Sequence, residues 1–346
     1  MSAQSLAQKL IARAAGRDAV RVGEIVTCRV DLAMFHDSSG PRRLQPMLEQ
    51  LGAGIWDKSR VVLVMDHYVP ERTEDARRIV RIARDWARDQ QLPHVYDSIG
   101  ICHVVVPQHG HIRPGMFCVG GDSHSPTGGA FGAYMFGIGS TEMLGVVTTG
   151  EIWVQVPRTI RMEWSGRLAR GVAAKDMMLA MLGRFGMNGG AYQAVEFAGD
   201  AVRALPMPER MTLANMSAEL GAPWFSDPGS ADEVHAFDAT ALAPQVAAPF
   251  SPANTAAAAR FAGIAIQAAY IGACTGATSR RTPASHADRD AAQQEGTLQV
   301  LADAGAQMLP SACGVCAGYG DSFAAGETVI SSTARNFKGR MGPPGT

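Results

Sequence analysis

Three cysteines stand out by type and spacing. Cys274 lies in Ile271-Gly-Ala-Cys274-Thr275, while Cys313 and Cys316 lie in Ser311-Ala-Cys313-Gly-Val-Cys316-Ala-Gly318. A cysteine just past a strand end can leave the sheet and reach a ligand. A C-x-x-C turn with Gly314 inside it can aim both sulfurs at one point. Three thiolates suit a soft metal centre. A [4Fe–4S] cube held by three cysteines keeps one iron free to bind a substrate oxygen as a Lewis acid, whereas a structural zinc asks for a fourth ligand. Taken alone, the C-x-x-C reads equally as a redox pair or as chance.

Two further constellations carry titratable groups. In Val64-Met-Asp66-His67 a strand runs into an orienting carboxylate beside an imidazole able to act as acid or base near neutral pH. The plain alternative is a helix cap with a surface histidine. In Gly120-Gly-Asp122-Ser123-His124-Ser-Pro-Thr-Gly-Gly129, polar side chains stand between glycine pairs that let the backbone approach a ligand closely. Its plain alternative is a turn-rich loop with Asx-type hydrogen bonds. The other cysteines, Cys28, Cys102 and Cys118, sit in β-like apolar stretches and read as buried free thiols.

These groups need elements to hold them. Met1 to Gly16 reads as an amphipathic helix (Leu6, Leu10, Ile11, Ala14), not a secretory signal. Ile25–Val30 and Val61–Met65 read as buried strands, and Thr73 to Arg88 as a helix begun by Thr73 and Glu74. A glycine-punctuated region follows from Phe117 to Val156. Then come a strand at Thr159–Trp164, a helix at Ala173–Phe185 and a further strand-helix pair. Residues 223–258 read as a linker, Ala265–Ala273 as a strand and Glu295–Ala304 as a helix. Strands alternating with helices predict an α/β fold with mostly parallel sheets, in units spanning 1–157, 158–240 and 241–346.

Composition narrows the function. Apolar residues make up 47% and charged ones 18%, enough for a large core. The net charge of −1, from 31 basic and 32 acidic residues mixed along the chain, argues against nucleic acid as a partner. No apolar run approaches the length of a membrane span, so the expectation is a soluble, cytoplasmic protein.

In chain order the segments resemble the aconitase family, most closely the large subunit of 3-isopropylmalate dehydratase. The resemblance covers nearly the whole chain. Its motifs are Val22-Gly-Glu-Ile-Val, His36-Asp37, Met65-Asp66-His67, Gly100-Ile-Cys-His103, Gly121-Asp122-Ser123-His124, Phe136-Gly-Ile-Gly-Ser-Thr-Glu142 and Val195-Glu-Phe-Ala-Gly199. It continues through Asn215-Met-Ser-Ala-Glu219, Cys274, Cys313, Cys316 and Arg335-Asn-Phe-Lys-Gly-Arg340. The resemblance implies three packed α/β units around a central [4Fe–4S] cluster held by Cys274, Cys313 and Cys316, in a hydro-lyase or isomerase acting on a small hydroxy-acid. It further implies that Asp66 and His67 protonate the leaving hydroxyl and that His103, Asp122 and His124 surround the iron-bound oxygen. Ser123 and His36 would bind a substrate carboxylate, Arg335 and Arg340 would clamp carboxylates, and Asn215 and Glu219 would line the site. A cluster sensor or RNA-binding regulator of the same fold is the alternative.

Several positions depart from the family pattern. Gly276 and Ala334 stand where an asparagine is usual, and Ala214 where a cysteine is common. Only 38 residues separate Cys274 from Cys313, so a βα unit there is expected to be missing or abbreviated. The family also implies a separate swivelling domain, carried on a small subunit in the dehydratases. The segment after Arg340 is too short to be one, so a small partner subunit supplying the catalytic serine and an arginine is expected.

Overall fold

The computed structural model describes residues 4–221, 224–225, 230–274, 283–318 and 323–343. The chain opens with α1 (Leu6–Ala14), set by a capping box in which Ser5 accepts from the Gln8 N–H and Gln8 accepts from the Ser5 N–H. Next comes β1 (Ile25–Arg29), followed by β2 (Leu32–His36), α2 (Pro41–Leu51), β3 (Val61–Met65), α3 (Glu74–Asp89) and β4 (His94–Asp97). The first unit closes with α4 (Cys102–Gln108), β5 (Phe117–Gly120), β6 (Tyr134–Gly137), α5 (Ser140–Thr149) and β7 (Glu151–Gln155).

Its five-stranded sheet has the order β4-β3-β2-β5-β6, every pair parallel. β2 and β3 are buried along their whole length, as a sheet covered on both faces by crossover helices requires. The α3 boundary falls where the sequence places it, because the Thr73 hydroxyl accepts from the Ala76 N–H at 3.1 Å. Replacing Thr73 with alanine should remove about 1 kcal/mol of stability. Urea unfolding would show this as a lower midpoint with an unchanged slope.

A second parallel sheet follows. β8 (Thr159–Ser165), α6 (Ala174–Phe185), β9 (Ala194–Ala198), α7 (Asp200–Ala204), α8 (Met207–Leu220), β10 (Trp224–Phe225) and β11 (Glu233–Asp238) give the order β10-β9-β8-β11. Met177, Met178, Met181 and Leu182 of α6 pack with Leu213, Ala214 and Met216 of α8 in its core. A short antiparallel pair, β12 (Gln245–Ala247) with β13 (Thr255–Ala257), lies against α6. Last come β14 (Ala268–Tyr270), α9 (His286–Gln294), α10 (Thr297–Asp303) and β15 (Val329–Ser331), with β14 and β15 forming a two-stranded parallel sheet.

Three expectations are corrected. β1 is not buried on both faces: Val26 and Cys28 face the core, while Ile25, Thr27 and Arg29 are exposed, and it pairs antiparallel with β7. The supposed linker contains β11, which runs parallel to β8 from Glu233 to Asp238. As a largely exposed edge strand it has no buried run to announce it. Only Ala268–Tyr270 of the strand expected at 265–273 forms ladder pairs, and Ile264, Ile266 and Ile271 around it are exposed. The helix expected at Glu295–Ala304 forms as α10, Thr297–Asp303, and Gly296, with a φ of 75°, separates it from α9.

Candidate functional site

The first sheet's strand order sets the place of the site. From β2 the chain builds outward through β3 and β4, then returns to the other side of β2 with β5 and β6. That reversal opens a crevice at the carboxyl ends of β2 and β5, the usual ligand position in such sheets. His36 ends β2 with Asp37 next to it, Asp66-His67 follows β3, and Asp122-Ser123-His124 follows β5. Two glycines make the β5 turn possible. A side chain at Gly120 would collide with Ser125, and a Cβ at Gly137 would lie 2.5 Å from the Asp122 carbonyl oxygen.

The side chains form a connected set. Asp66 is fully buried; its Oδ1 lies 2.7 Å from His67 Nδ1, and its Oδ2 accepts from the Cys102 N–H at 2.7 Å. Asp37, also fully buried, accepts from the backbone N–H groups of His67 (3.1 Å) and Tyr68 (2.7 Å), which fixes the turn after β3. The His36 ring stacks on His67 with centroids 3.8 Å apart, and Ser38 and Ser39 hold its two nitrogens. Asp122 Oδ1 meets His103 Nε2 at 2.6 Å and accepts from the His124 N–H at 2.8 Å, while Oδ2 lies 3.8 Å from His67 Nε2. His124 Nε2 reaches Glu219 Oε1 of α8 at 3.1 Å, and the same oxygen accepts from Arg335 Nε at 2.6 Å. One chain of contacts therefore joins β3, β5, α8 and the segment after β15.

Burial and neighbouring charge tune these groups in opposite directions. Burial pushes Asp122 up, but the charge and hydrogen bond of His103, with help from His67 and His124, override it and hold the carboxyl well below the usual range. Glu219 is likewise held low, because His124 and Arg335 outweigh its burial. Asp66 lies below its ordinary value for the same reason, with His67 as the opposing charge. Burial would lower His67, yet Asp66, Cys313 and Asp122 raise it well above the usual value. His36 falls to about 3 through burial and the neighbouring His67. The pair is thus a neutral ring stacked on a protonated one.

The three cysteines converge on this set from the third region. Ala273 takes a left-handed φ of 75° immediately before buried Cys274, a conformation that costs a non-glycine residue on the order of 1 kcal/mol. The Cys313 N–H donates to the Asp66 carbonyl at 2.8 Å, so the C-x-x-C turn is fastened to the Asp-His pair. Arg340 Nε donates to the Cys316 carbonyl at 2.8 Å. Burial pushes the Cys316 thiol up to about 12, with Cys313 adding to it, and Cys274 is raised further by burial, Cys316 and Cys313. The donor set fits a soft metal cluster: Cys274 and Cys316 are buried and Cys313 half-buried, and the repulsion their thiolates would feel is what a cationic centre would offset. Two buried oxygens, Asn215 Oδ1 and Glu219 Oε2, have no hydrogen-bond partner among the described residues, and Asn215 Nδ2 donates to the Thr127 hydroxyl at 2.8 Å.

A cavity of about 340 Å³ opens beside them, lined among others by His36, His67, Asp122, Ser123, Arg335 and Arg340. The residues singled out in the sequence therefore meet in one place. Three that also matter were not singled out. Asp37 adjoins a quoted histidine but gives no signal of its backbone role. Arg43 of α2 lines the cavity, and its spacing says nothing about that. Lys175 lies in the first turn of α6, where its cation opposes the helix dipole, the one clue available. Of the departures, Ala214 and Ala334 pack in the apolar core around α6 and α8, and Gly276 lies outside the described residues.

The model of the aconitase family (aconitate hydratase) matches residues 8–225 and 262–346. The chain is 37% identical to 3-isopropylmalate dehydratase large subunit 1 of Methanopyrus kandleri, over 98% of this chain and 92% of that one. It is 36% identical to the probable methanogen homoaconitase large subunit of Methanothermobacter thermautotrophicus, over 99% of this chain and 92% of that one. Among solved structures, the holo-form of aconitase X from Thermococcus kodakaraensis shares the fold, with a TM-score of 0.51 at 13% identity over 89% of this chain and 84% of that one. From its cysteine, histidine and carboxylate motifs to its parallel sheets, the chain belongs to the aconitase family of hydro-lyases.

Proposed function

We propose that this chain is the large subunit of an iron–sulfur hydro-lyase that dehydrates a small hydroxy di- or tricarboxylate, with rehydration following in an isomerase. The observation that carries the reading is the Cys313 N–H to Asp66 carbonyl bond, which ties the cysteine turn to the Asp66-His67 pair. Cys274, Cys313 and Cys316 would hold a [4Fe–4S] cluster. That cluster, when bound, supplies Lewis acidity at an iron that carries no protein thiolate.

The chain's own residues handle charge and protons. Asp66 orients His67 through Nδ1, leaving Nε2 as the atom that delivers a proton to the departing hydroxyl. The raised His67 value suits an acid that is loaded at neutral pH. Asp122, held ionised by His103, keeps that imidazolium in place, and Glu219 Oε2 is an acceptor left for a donor on the substrate side. Arg335 and Arg340 offer guanidinium forks for carboxylates, with Ser123 and His36 beside them. Abstracting a proton next to a carboxylate builds up negative charge, and fixed cations in a water-poor site stabilise it.

The relatives named as large subunits motivate a small partner subunit that brings the catalytic serine and a further arginine. Anaerobic reconstitution with iron and sulfide should give a brown protein absorbing near roughly 400 nm, with about four irons and four sulfides per chain. Hydroxy-acids screened with the partner should raise alkene absorbance. Cys316→Ser should lose colour and activity together; retention of both would refute the assignment.

A further inference from the structure

The first sheet has a second cavity, of about 530 Å³, at the end of its strands opposite the catalytic crevice. Its walls come from four strand beginnings: Asp31 before β2, Arg60 before β3, His94 at the start of β4, and the loop 109–116 that leads into β5. Three of the chain's nine histidines line it, and none of them belongs to the catalytic set. Their rings run in a row through Tyr96. His109 lies against Tyr96 with centroids 4.4 Å apart, the Tyr96 hydroxyl is 2.6 Å from His111 Nε2, and the His111 and His94 rings meet at 4.6 Å. Arg113 Nε donates to the Gly110 carbonyl at 3.3 Å, and its guanidinium pairs with no carboxylate among the described residues. Asp31, the one carboxylate among the lining residues, is already engaged. It accepts from Arg13 at 2.7 Å and from the Phe117 N–H at 2.9 Å, and Arg60 lies 3.5 Å from its other oxygen.

We infer that this cavity is a second binding site, for a small, multiply charged oxyanion, either a phosphate compound or a polycarboxylate. An excess of arginine and imidazole over carboxylate suits an anion and repels a metal ion. Among the described residues, the histidine and carboxylate groups that converge closely enough to hold one metal ion are those of the catalytic crevice. Arg113 offers a planar fork for oxyanions, and imidazoles can gain charge as an anion enters. His111 links the two events. Burial holds it below its ordinary value, with His94, His109 and Arg113 adding to the effect, so without an anion it is neutral near pH 7. A bound anion offsets those positive neighbours and draws a proton onto His111. Its Nε2–H then donates to the Tyr96 hydroxyl, whose own ionisation burial disfavours, and Nδ1–H is left for the ligand. No residue of the catalytic crevice takes part, so the site stands whether or not a cluster is bound.

The test is calorimetric titration of the whole chain with inorganic pyrophosphate and with tricarballylate, at constant ionic strength. At least one should bind, about tenfold more tightly at about pH 6 than at about pH 8, because imidazoles charge across that range. The anion that binds names the source, phosphoryl or polycarboxylate. Binding near neutral pH should take up protons, read as an enthalpy that varies with the ionisation enthalpy of the buffer; a metal ion would release protons instead. Arg113→Gln and His94→Gln should each weaken binding about tenfold, the loss of a charge-assisted contact. Neither side chain holds a carboxylate, so both variants should melt like wild type. His111→Gln should remove most of the proton uptake. The binding lost in Arg113→Gln should survive in Arg335→Gln, which alters the catalytic cavity alone. Three results overturn the inference: neither anion binding at about pH 6, binding lost in Arg335→Gln but kept in Arg113→Gln, or zinc chloride binding with proton release where neither anion does.

Discussion

Asp66→Asn should lower kcat by on the order of 10³-fold or more while leaving KM within a few-fold of wild type. The reasoning starts from the two oxygens. Oδ1 faces His67 Nδ1 and Oδ2 accepts from the Cys102 N–H, so both must be acceptors at once. An asparagine has one acceptor and one donor in those places. If its oxygen keeps the Cys102 N–H, its amide N–H faces Nδ1 and forces the imidazole into the opposite tautomer. If its oxygen keeps His67, the buried Cys102 N–H faces another donor. Either way His67 loses the anion that raises it, so it is no longer a loaded acid at neutral pH. In the proposed scheme Arg335 and Arg340 clamp the substrate carboxylates elsewhere, so KM should be spared. Cluster loading is spared too, because Cys313 bonds the Asp66 backbone carbonyl, which asparagine retains. The check is steady-state kinetics with iron content measured on the same sample. A variant within tenfold of wild-type kcat would remove His67 from the role of acid.

Much of this site was legible in the sequence because its parts follow strands with strong local signals. Val61–Met65 is an unbroken apolar run, and a fully buried central strand can be little else. Thr73 announces its helix through the cap it goes on to make. Asp66-His67 and Asp122-Ser123-His124 then fall at strand ends, where side chains leave a sheet. The failures have an equally physical cause. β11 pairs along β8 through backbone hydrogen bonds while showing little buried surface, so its residues were free to look like a linker. The helix expected from Glu295 starts two residues later, at Thr297, because Gly296 takes a positive φ that a helical pattern of apolar residues does not encode. Ala214 and Ala334 depart from the family pattern, and only the packing of α6 against α8 shows that they lie in the apolar core. Asp37 and Lys175 act through backbone groups, Asp37 on the residues after β3 and Lys175 on Thr333, about 158 positions away. Contacts of that kind leave no spacing to read.

Glu219→Gln should cost about 3–5 kcal/mol of stability at neutral pH and abolish most activity, although the side chain keeps its shape. Glu219 is almost wholly buried, and its Oε1 is shared by Arg335 Nε at 2.6 Å and His124 Nε2 at 3.1 Å. An amide removes the carboxylate that Arg335 pairs with among the described residues, leaving a partly buried guanidinium without that counter-charge. With its NH₂ at the Oε1 position, the amide would also face two groups that contact that oxygen as donors. The pH dependence gives the sharper signature. The folded-state carboxyl is depressed, so its contribution is fully present above the ordinary value of 4.5 and is lost as pH falls through the lower folded value. The stability gap between wild type and Glu219→Gln should therefore be constant through neutral pH and close as acid protonates the wild-type carboxyl. Urea unfolding at a series of pH values reads this directly. A gap that stayed open in acid would mean that the glutamine acts through shape, and a gap under 1 kcal/mol at neutral pH would mean that Arg335 and His124 find their charge elsewhere. Activity separates a further point. Arg335 is both Glu219's partner and a proposed carboxylate clamp, so loss of the glutamate should raise KM as well as lower kcat, unlike the Asp66 change. On the proposed reading the two buried carboxylates divide the site between them, one setting a proton donor and the other setting a clamp.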